Sequence, residues 1–369
     1  MKIAYVITRA DAVGGASIHV RDLAREMLAR GHQAMVFLGG AGPVADQLRA
    51  ADVPYHSLEF LARSIHPVRD FRAYLELTRA LAEFAPDLVS THTAKAGWIG
   101  RAACARLRLP AIYTPHGSPA GDRFAPLAAS VFAIAERAAA RWTRAIICVC
   151  EYERQLILER RLARAELLHV VLNGVRDVAP ELRAAPGAAP VRLISVTRME
   201  APKDHATLID ALGRLGDLDW RLDLVGDGPL EASIRARCQA AGLGGRVDFL
   251  GYRAEPAVML ARAQVFVLSS RSEAFPRSVL EAMRAGLAVV ASEVGGTAEA
   301  LDNGRNGILV PRGDAQALAK ALGGLIRDAD RRRRLGTAAR LDYEARFRLD
   351  PMVERTAGIY DSVLRHAAR

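Results

Sequence analysis

The stretch Gln264–Gly286, QVFVLSSRSEAFPRSVLEAMRAG, runs from an apolar strand through a polar loop into a helix whose first turn contains Pro276, Arg277 and Ser278. A short apolar run bounded by polar residues reads as a strand buried on both faces. The helix that follows leaves its first amides unpaired, so they face whatever lies beyond the strand's carboxyl end. Strand, loop and helix in this order make half of a parallel crossover unit, which requires neighbours of the same kind.

Those neighbours stand on both sides. VRLISVT, RLDLVG and RVDFLG precede the stretch, and LAVVAS and GILVP follow it. The first half of the chain has its own series, KIAYVIT, QAMVFL, DLVSTH, AIYTPH, AIICVC and LLHVVL, separated by amphipathic segments such as SIHVRDLAREMLARG. Alternation of this kind predicts parallel sheets covered by helices on both faces. Between the halves, VRDVAPELRAAPGAAPVR holds three prolines and one glycine and reads as a linker or hinge. The expected fold class is therefore α/β, with two doubly wound, Rossmann-like parallel-sheet domains facing across a cleft. The first spans residues 1–178 and the second 179–349, and a last helix over 350–369 is expected to pack back toward the first domain. Ligands of such sheets bind outside the carboxyl ends of the strands.

Composition agrees with two globular domains. At 369 residues the chain exceeds what one core usually organises, and 51% hydrophobic with 25% charged residues excludes disorder. The N-terminal apolar run is broken by Thr8, Arg9 and Asp11, too early for a secretion signal, so a cytoplasmic location is expected. FAPLAASVFAIAERAAARW meets Glu136 and Arg137 before it reaches the roughly 18 apolar residues of a membrane span, and reads as a buried helix. Cys104, Cys148, Cys150 and Cys238 match neither a disulfide framework nor a zinc spacing and read as buried thiols. The net charge of +10 is mostly arginine dispersed along the chain, with lysine only at positions 2, 95, 203 and 320. No aromatic-interleaved basic motif accompanies it, which argues against nucleic acid and for acidic small molecules or an anionic membrane surface.

Several strand ends carry chemistry. Gly14 and Gly15 precede a helix expected near Ser17, where glycines let the backbone approach an anion; the spacing falls short of a dinucleotide fingerprint. Arg198 and Lys203 stand five residues apart after VRLISVT and can converge on one polyanion, the arginine as a fork and the lysine as a point charge. Glu273 can accept from neutral hydroxyls such as those of a sugar, and Glu281 from a diol such as a ribose. Gly226, Gly228 and the pair Gly295–Gly296 mark further strand-to-helix turns, and His116, with His92 as a weaker candidate, sits where active sites gather.

Taken together, the glycine pair with SIHV, KAGWIGR, TPHG, LNGV, VTRMEAPKDH, VGDGP, SEAFPRSVLEAM and VGGTAE resemble the retaining glycosyltransferases of family 4, with the GT-B fold. The resemblance covers essentially the whole chain, and the Glu273 to Glu281 spacing in its context is the specific part. It implies a nucleotide-sugar donor, a UDP-sugar in preference to a GDP-sugar, and no bound cofactor. Arg198 and Lys203 would hold the diphosphate with the amides of Ser278 and Val279. Glu281 would take the ribose, Glu273 with the Ala274–Phe275 backbone the sugar hydroxyls, and the loop at Tyr252–Arg253 the base. Gly14 and Gly15 would approach from the first domain and His116 would touch the sugar. The implied reaction is hexosyl transfer with retained configuration to a glycan or lipid-linked acceptor, in surface polysaccharide or glycolipid assembly. LNGVRD departs from the pattern, with Arg176 ahead of Asp177.

No catalytic metal is expected. Asp217–Asp219 precedes its strand and Asp328–Asp330 lies between helices, so neither reaches a strand's carboxyl end. Arg101, Arg106, Arg108 and Arg123 could draw the chain to anionic lipid at the inner face of the membrane. A nucleotide-sugar epimerase and a catalytically silent partner subunit share the expected architecture, and silence predicts loss of at least one of His116, Arg198, Lys203, Glu273 and Glu281. All five are present. Oligomeric state has no signature in the sequence.

Overall fold

A computed structural model describes residues 1–117, 126–185 and 190–367. Its contacts divide the chain into two units, Met1–Asn173 with Pro351–Arg369, and Gly174–Asp350. Each is built on one sheet whose strands all run parallel.

The sheet of the first unit has strands β1 (Lys2–Ile7), β2 (Gln33–Gly39), β3 (Tyr55–Leu58), β4 (Leu88–His92), β5 (Ala111–Thr114), β6 (Ala145–Cys148) and β7 (Leu168–Val170). Their spatial order is β3-β2-β1-β4-β5-β6-β7, so the order reverses between β1 and β4. The six strands expected from this half are all present. The seventh, β3, is an edge strand of sequence YHSL whose first three residues are not buried, which explains its weak apolar signal. Central strands such as β4 are buried along their whole length because helices cover both faces.

The second unit repeats the plan with β8 (Val191–Val196), β9 (Trp220–Val225), β10 (Val247–Gly251), β11 (Val265–Leu268), β12 (Ala288–Ser292) and β13 (Ile308–Val310). The order β10-β9-β8-β11-β12-β13 places its reversal between β8 and β11. Leu193, Leu222, Val265, Val267 and Val290 from these strands share one core with Leu208, Leu212, Leu318 and Leu322 from covering helices.

Two expectations change. The proposed linker is fastened to the second unit over its described part: Val175 bridges Arg348, and Ala184 donates to the Ala285 carbonyl at 2.7 Å. Asp177 receives both guanidinium nitrogens of Arg340 at 2.6 and 2.7 Å, and these hydrogen bonds hold its carboxyl below its ordinary range. Residues 186–189 of the same stretch lie outside the described residues. The helix read as buried, Pro126–Ala140, exposes Val131 and Ile134 and buries Glu136. Arg101, fully buried, donates to Glu136 at 2.9 Å, and the Trp98 indole donates to the same carboxylate at 2.7 Å. A carboxylate with a cation and a neutral donor tolerates the interior, and here partners from another helix decide which face turns inward.

Candidate functional site

In open parallel sheets the ligand crevice lies where the strand order reverses, and in the second unit β8 and β11 flank that point. The segments leaving these two strands carry Arg198, Lys203 and Glu273. Three hydrogen bonds bring the segments together: Ser269 Oγ donates to the carbonyls of Lys203 and Asp204, and the Arg271 amide donates to the Pro202 carbonyl. Lys203 Nζ then stands 2.5 Å from Glu273 Oε1, and Ser270 Oγ donates to the same oxygen at 2.6 Å. An ammonium has three donors, so Lys203 can hold Glu273 and still donate to an anionic ligand. Arg198 directs Nε and Nη2 to Glu200 Oε1 at 2.9 and 2.8 Å, and its Nη1 lies 3.9 Å from Asp227. Each cation is thus already oriented by a carboxylate.

The Lys203 turn is further shaped by its neighbours. Asp204 adopts a left-handed backbone (φ 46), caps the helix His205–Leu212 and accepts from Arg271 at 2.8 Å. His205 is buried, bonded to Thr197 Oγ1 at 3.1 Å, and its pKa is lowered to about 4, first by burial and then by the Lys203 charge.

Glycines set how closely the surrounding turns approach. A Cβ on Gly295, whose φ is +54, would stand 1.9 Å from the Glu273 carbonyl oxygen, and the next amide, of Gly296, donates to the Ala274 carbonyl at 2.7 Å. Gly226 has φ +140, and a Cβ there would meet the Thr197 carbonyl at 2.0 Å. The glycine pair after β12 therefore supports the Glu273 loop from behind, and the turn after β9 supports the segment that carries Arg198.

The helix Arg277–Ala285 begins directly after this loop with Pro276 as its cap. Phe275, Val279 and Leu280 are buried, whereas Ser278 and Glu281, three residues apart on one face, are only partly so. Arg277 is buried and donates to the Gly174 carbonyl at 2.9 Å. Arg253 is exposed in the segment after β10, at the same carboxyl edge as the other strand ends.

In the first unit the reversal lies between β1 and β4. After β1, the helix Gly15–Ala29 starts with Gly14 as its cap, whose amide donates to Ser17 Oγ at 3.0 Å. After β4 and β5, Thr93 and His116 hold positive φ angles of 69 and 58, uncommon for residues with a Cβ. His116 Nε2 is 2.9 Å from His92 Nδ1, His92 Nε2 is 3.0 Å from Ser90 Oγ, and the Tyr360 hydroxyl donates to Ser90 at 2.9 Å. Burial, and secondarily His116, holds the His92 pKa well below its ordinary value, so His92 is a neutral link in this chain of contacts.

The family Glycosyl transferases group 1 matches residues 182–342, and Glycosyltransferase Family 4 matches residues 13–177. The phosphatidyl-myo-inositol mannosyltransferase of Mycobacterium leprae is 30% identical over 376 residues, covering 96% of this chain and 94% of that protein. This chain belongs to glycosyltransferase family 4. The N-acetyl-alpha-D-glucosaminyl L-malate synthase of Bacillus anthracis is 31% identical over 174 residues, and the matched stretch covers 47% of this chain and 46% of that protein, about half of each. Among solved structures, Anabaena HepE in complex with UDP and glucose superposes with a TM-score of 0.85 over 98% of this chain and 100% of its own, at 24% identity. At that identity the likeness establishes the fold, the GT-B pairing of two parallel-sheet α/β domains.

Arg198, Lys203 and Glu273 leave the two strands that flank the reversal, and the sequence gives no sign of what holds them there. Ser269, Ser270 and Asp204 carried no expected role, and theirs follows from the adjacency of β8 and β11. His19 was missed as well, since its place on the helix Gly15–Ala29 shows no contact with His116 until the strands are ordered. Asp217 and Asp219 lie before β9, and Asp328 caps the helix Ala329–Arg346, so both aspartate pairs stand away from the carboxyl edge as expected. Arg101 is withdrawn as a lipid contact because its guanidinium is buried against Glu136 and stacked 4.0 Å over the Tyr113 ring. Arg106 and Arg108 are exposed, and Arg123 lies outside the described residues, as do Ser118 and Pro119 after TPHG.

Proposed function

We propose that this family 4 glycosyltransferase moves a hexosyl group from a UDP-sugar to a hydroxyl of a glycan or lipid-linked acceptor with retention of anomeric configuration. The observation that carries the reading is the convergence of Lys203, Glu273 and Ser270 at the strand-order reversal of the second sheet, with Arg198 on the same segment as Lys203. Arg198 and Lys203 meet the diphosphate, whose charge grows as it departs, and they are oriented before it arrives. Such preorganised charge is usually the largest part of catalysis. The amides of Ser278 and Val279 assist them, so the proposal requires no metal at the diphosphate.

Glu281 accepts from the ribose and the Tyr252–Arg253 segment faces the base. Glu273, fixed by Lys203 and Ser270, accepts from sugar hydroxyls beside the Ala274–Phe275 backbone. In the first unit, Gly14 and Gly15 serve the phosphates and His116 serves the transferred sugar. The oxygen left on the departing diphosphate deprotonates the acceptor hydroxyl on the same face of the ring, which keeps the configuration. The UDP and glucose bound to HepE support the donor class, and the lipid substrate named for the mycobacterial relative supports a lipid-linked acceptor.

A peripheral membrane contact fits the helix Pro67–Phe84. Val68, Phe71 and Leu75 are exposed along one side of it and Ile65 just before it, among the exposed Arg63, Arg69 and Arg72. Apolar side chains flanked by arginines suit the headgroup boundary of an anionic bilayer. Among the described residues no helix is long and apolar enough to cross a membrane.

The test is proton NMR of the first-formed product from an α-linked UDP-sugar and an acceptor. An α-linked product supports the proposal. A β-linked product refutes retention, and free epimerised sugar nucleotide refutes transfer.

A further inference from the structure

Three histidines from separate stretches of the first unit meet at one point. His19 lies on the helix Gly15–Ala29, His92 ends β4 and His116 follows β5. One ligand nitrogen of each lies within 4.8 Å of the other two. Ring centroids stand 4.7 Å apart for His19 and His116, 5.2 Å for His92 and His116, and 5.8 Å for His19 and His92. Imidazoles on zinc have Zn–N bonds of about 2.0–2.1 Å, which at tetrahedral angles set ring centres roughly 5 Å apart. The observed spacings bracket that value, so the rings could take an ion with small adjustments.

The surroundings orient the ligands as a metal site requires. Ser90 Oγ sits 3.0 Å from His92 Nε2 and is itself fixed by the Tyr360 hydroxyl, which leaves His92 Nδ1 to face His116 Nε2 at 2.9 Å. Proteins aim metal-binding imidazoles through hydrogen bonds of this kind on the far ring nitrogen. His19 and His92 are buried, and the half-buried His116 marks the accessible side.

We propose that His19, His92 and His116 form a three-imidazole site for a divalent transition ion, Zn2+ in preference to Mg2+ or Ca2+, with a fourth position open to water. Three nitrogens and no carboxylate favour the transition ion over the oxygen-seeking cations. On binding, the hydrogen bond between His92 Nδ1 and His116 Nε2 is exchanged for two metal–nitrogen bonds. Its proton passes to the far nitrogen of its own ring, so the imidazoles stay neutral and the count of protons is unchanged. The site does not depend on the proposed reaction. Its consequence does: an ion on His116 withdraws that residue from the sugar, and Zn2+ inhibits turnover.

Calorimetric titration of the whole chain, stripped with a chelator and then dialysed, tests this with Zn2+ as the probe. One ion per chain is expected, with no saturable heat from Mg2+, and at least tenfold weaker Zn2+ binding in each of His19→Gln and His116→Gln. Both variants are first shown to be folded by circular dichroism, and the fully buried His92 is left intact. With Co2+, visible ligand-field bands are expected without thiolate-to-cobalt absorption. Absence of saturable Zn2+ binding, affinity within twofold of wild type in both variants, or thiolate absorption placing the ion at Cys148 and Cys150 would each overturn the site. Full turnover with the ion bound would overturn the inhibition, and with it the placement of His116 at the sugar.

Discussion

Replacing Lys203 by Met removes the ammonium that stands 2.5 Å from Glu273 while keeping most of the side chain's length. A charge-assisted hydrogen bond to a diphosphate is worth about 1.5–3 kcal/mol, and each 1.4 kcal/mol is tenfold in affinity, so UDP should bind roughly 10- to 150-fold more weakly. The upper part of that range is favoured because Glu273 loses its counter-ion and faces the phosphates with its charge unopposed. Folding should suffer less. The Lys203 side chain is 26% exposed, and a partly exposed pair contributes about 1 kcal/mol or less, with Ser270 still donating to the carboxylate. Isothermal titration with UDP at fixed ionic strength measures the binding loss, and thermal unfolding measures the cost to the fold. Glu273→Gln completes a double-mutant cycle: it should leave UDP binding nearly intact and remove the extra affinity for the sugar ester. UDP affinity within twofold of wild type in folded Lys203→Met would refute the placement of the diphosphate at Lys203.

Gly295→Ala would put a Cβ 1.9 Å from the Glu273 carbonyl where contacts under 3.0 Å are not tolerated, so the loop must retreat by about 1 Å. A displacement of that size near reacting groups costs about 100-fold, to be read as kcat/KM, whereas Gly216→Ala, with open space around it, should leave activity unchanged. His205, neutral when folded, stabilises fully above its ordinary 6.5, and that contribution falls as pH drops toward its folded value of about 4. The gap corresponds to about 3 kcal/mol, so urea unfolding should show wild type losing more stability than His205→Gln between pH 7 and pH 4. Phe71→Glu should abolish flotation with vesicles containing anionic lipid without changing UDP affinity, and unchanged flotation would remove the helix Pro67–Phe84 from the membrane contact.

The alternation of apolar runs and helical patterns made both sheets legible because parallel strands are apolar on both faces, so each announces itself without its partners. β3 failed for the opposite reason: an edge strand of Tyr, His, Ser and Leu has little to bury. The helix Pro126–Ala140 was misread because composition counts Val131 and Ile134 as core and Glu136 as surface, while Arg101 and Trp98, far off in sequence, reverse that choice. At the candidate site, the residue types of Arg198, Lys203, Glu273 and Glu281 and their places after strands are legible in the sequence. The necessity of Gly226 and Gly295 is not, since it lies in carbonyls contributed by other loops, and the meeting of His19 with His92 and His116 waits on the strand order.

The central claim is that the carboxyl edge of the second sheet holds a sugar diphosphate ester of uridine. Thermal unfolding of the whole chain with UDP, UDP-sugars, GDP and ADP tests it directly, because a ligand at 100 times its Kd adds about 2.7 kcal/mol to the folded state. The account predicts a rise in Tm with UDP and a larger one with a UDP-sugar than with GDP or ADP. An unfolding temperature that no nucleoside diphosphate or sugar ester moves would contradict it.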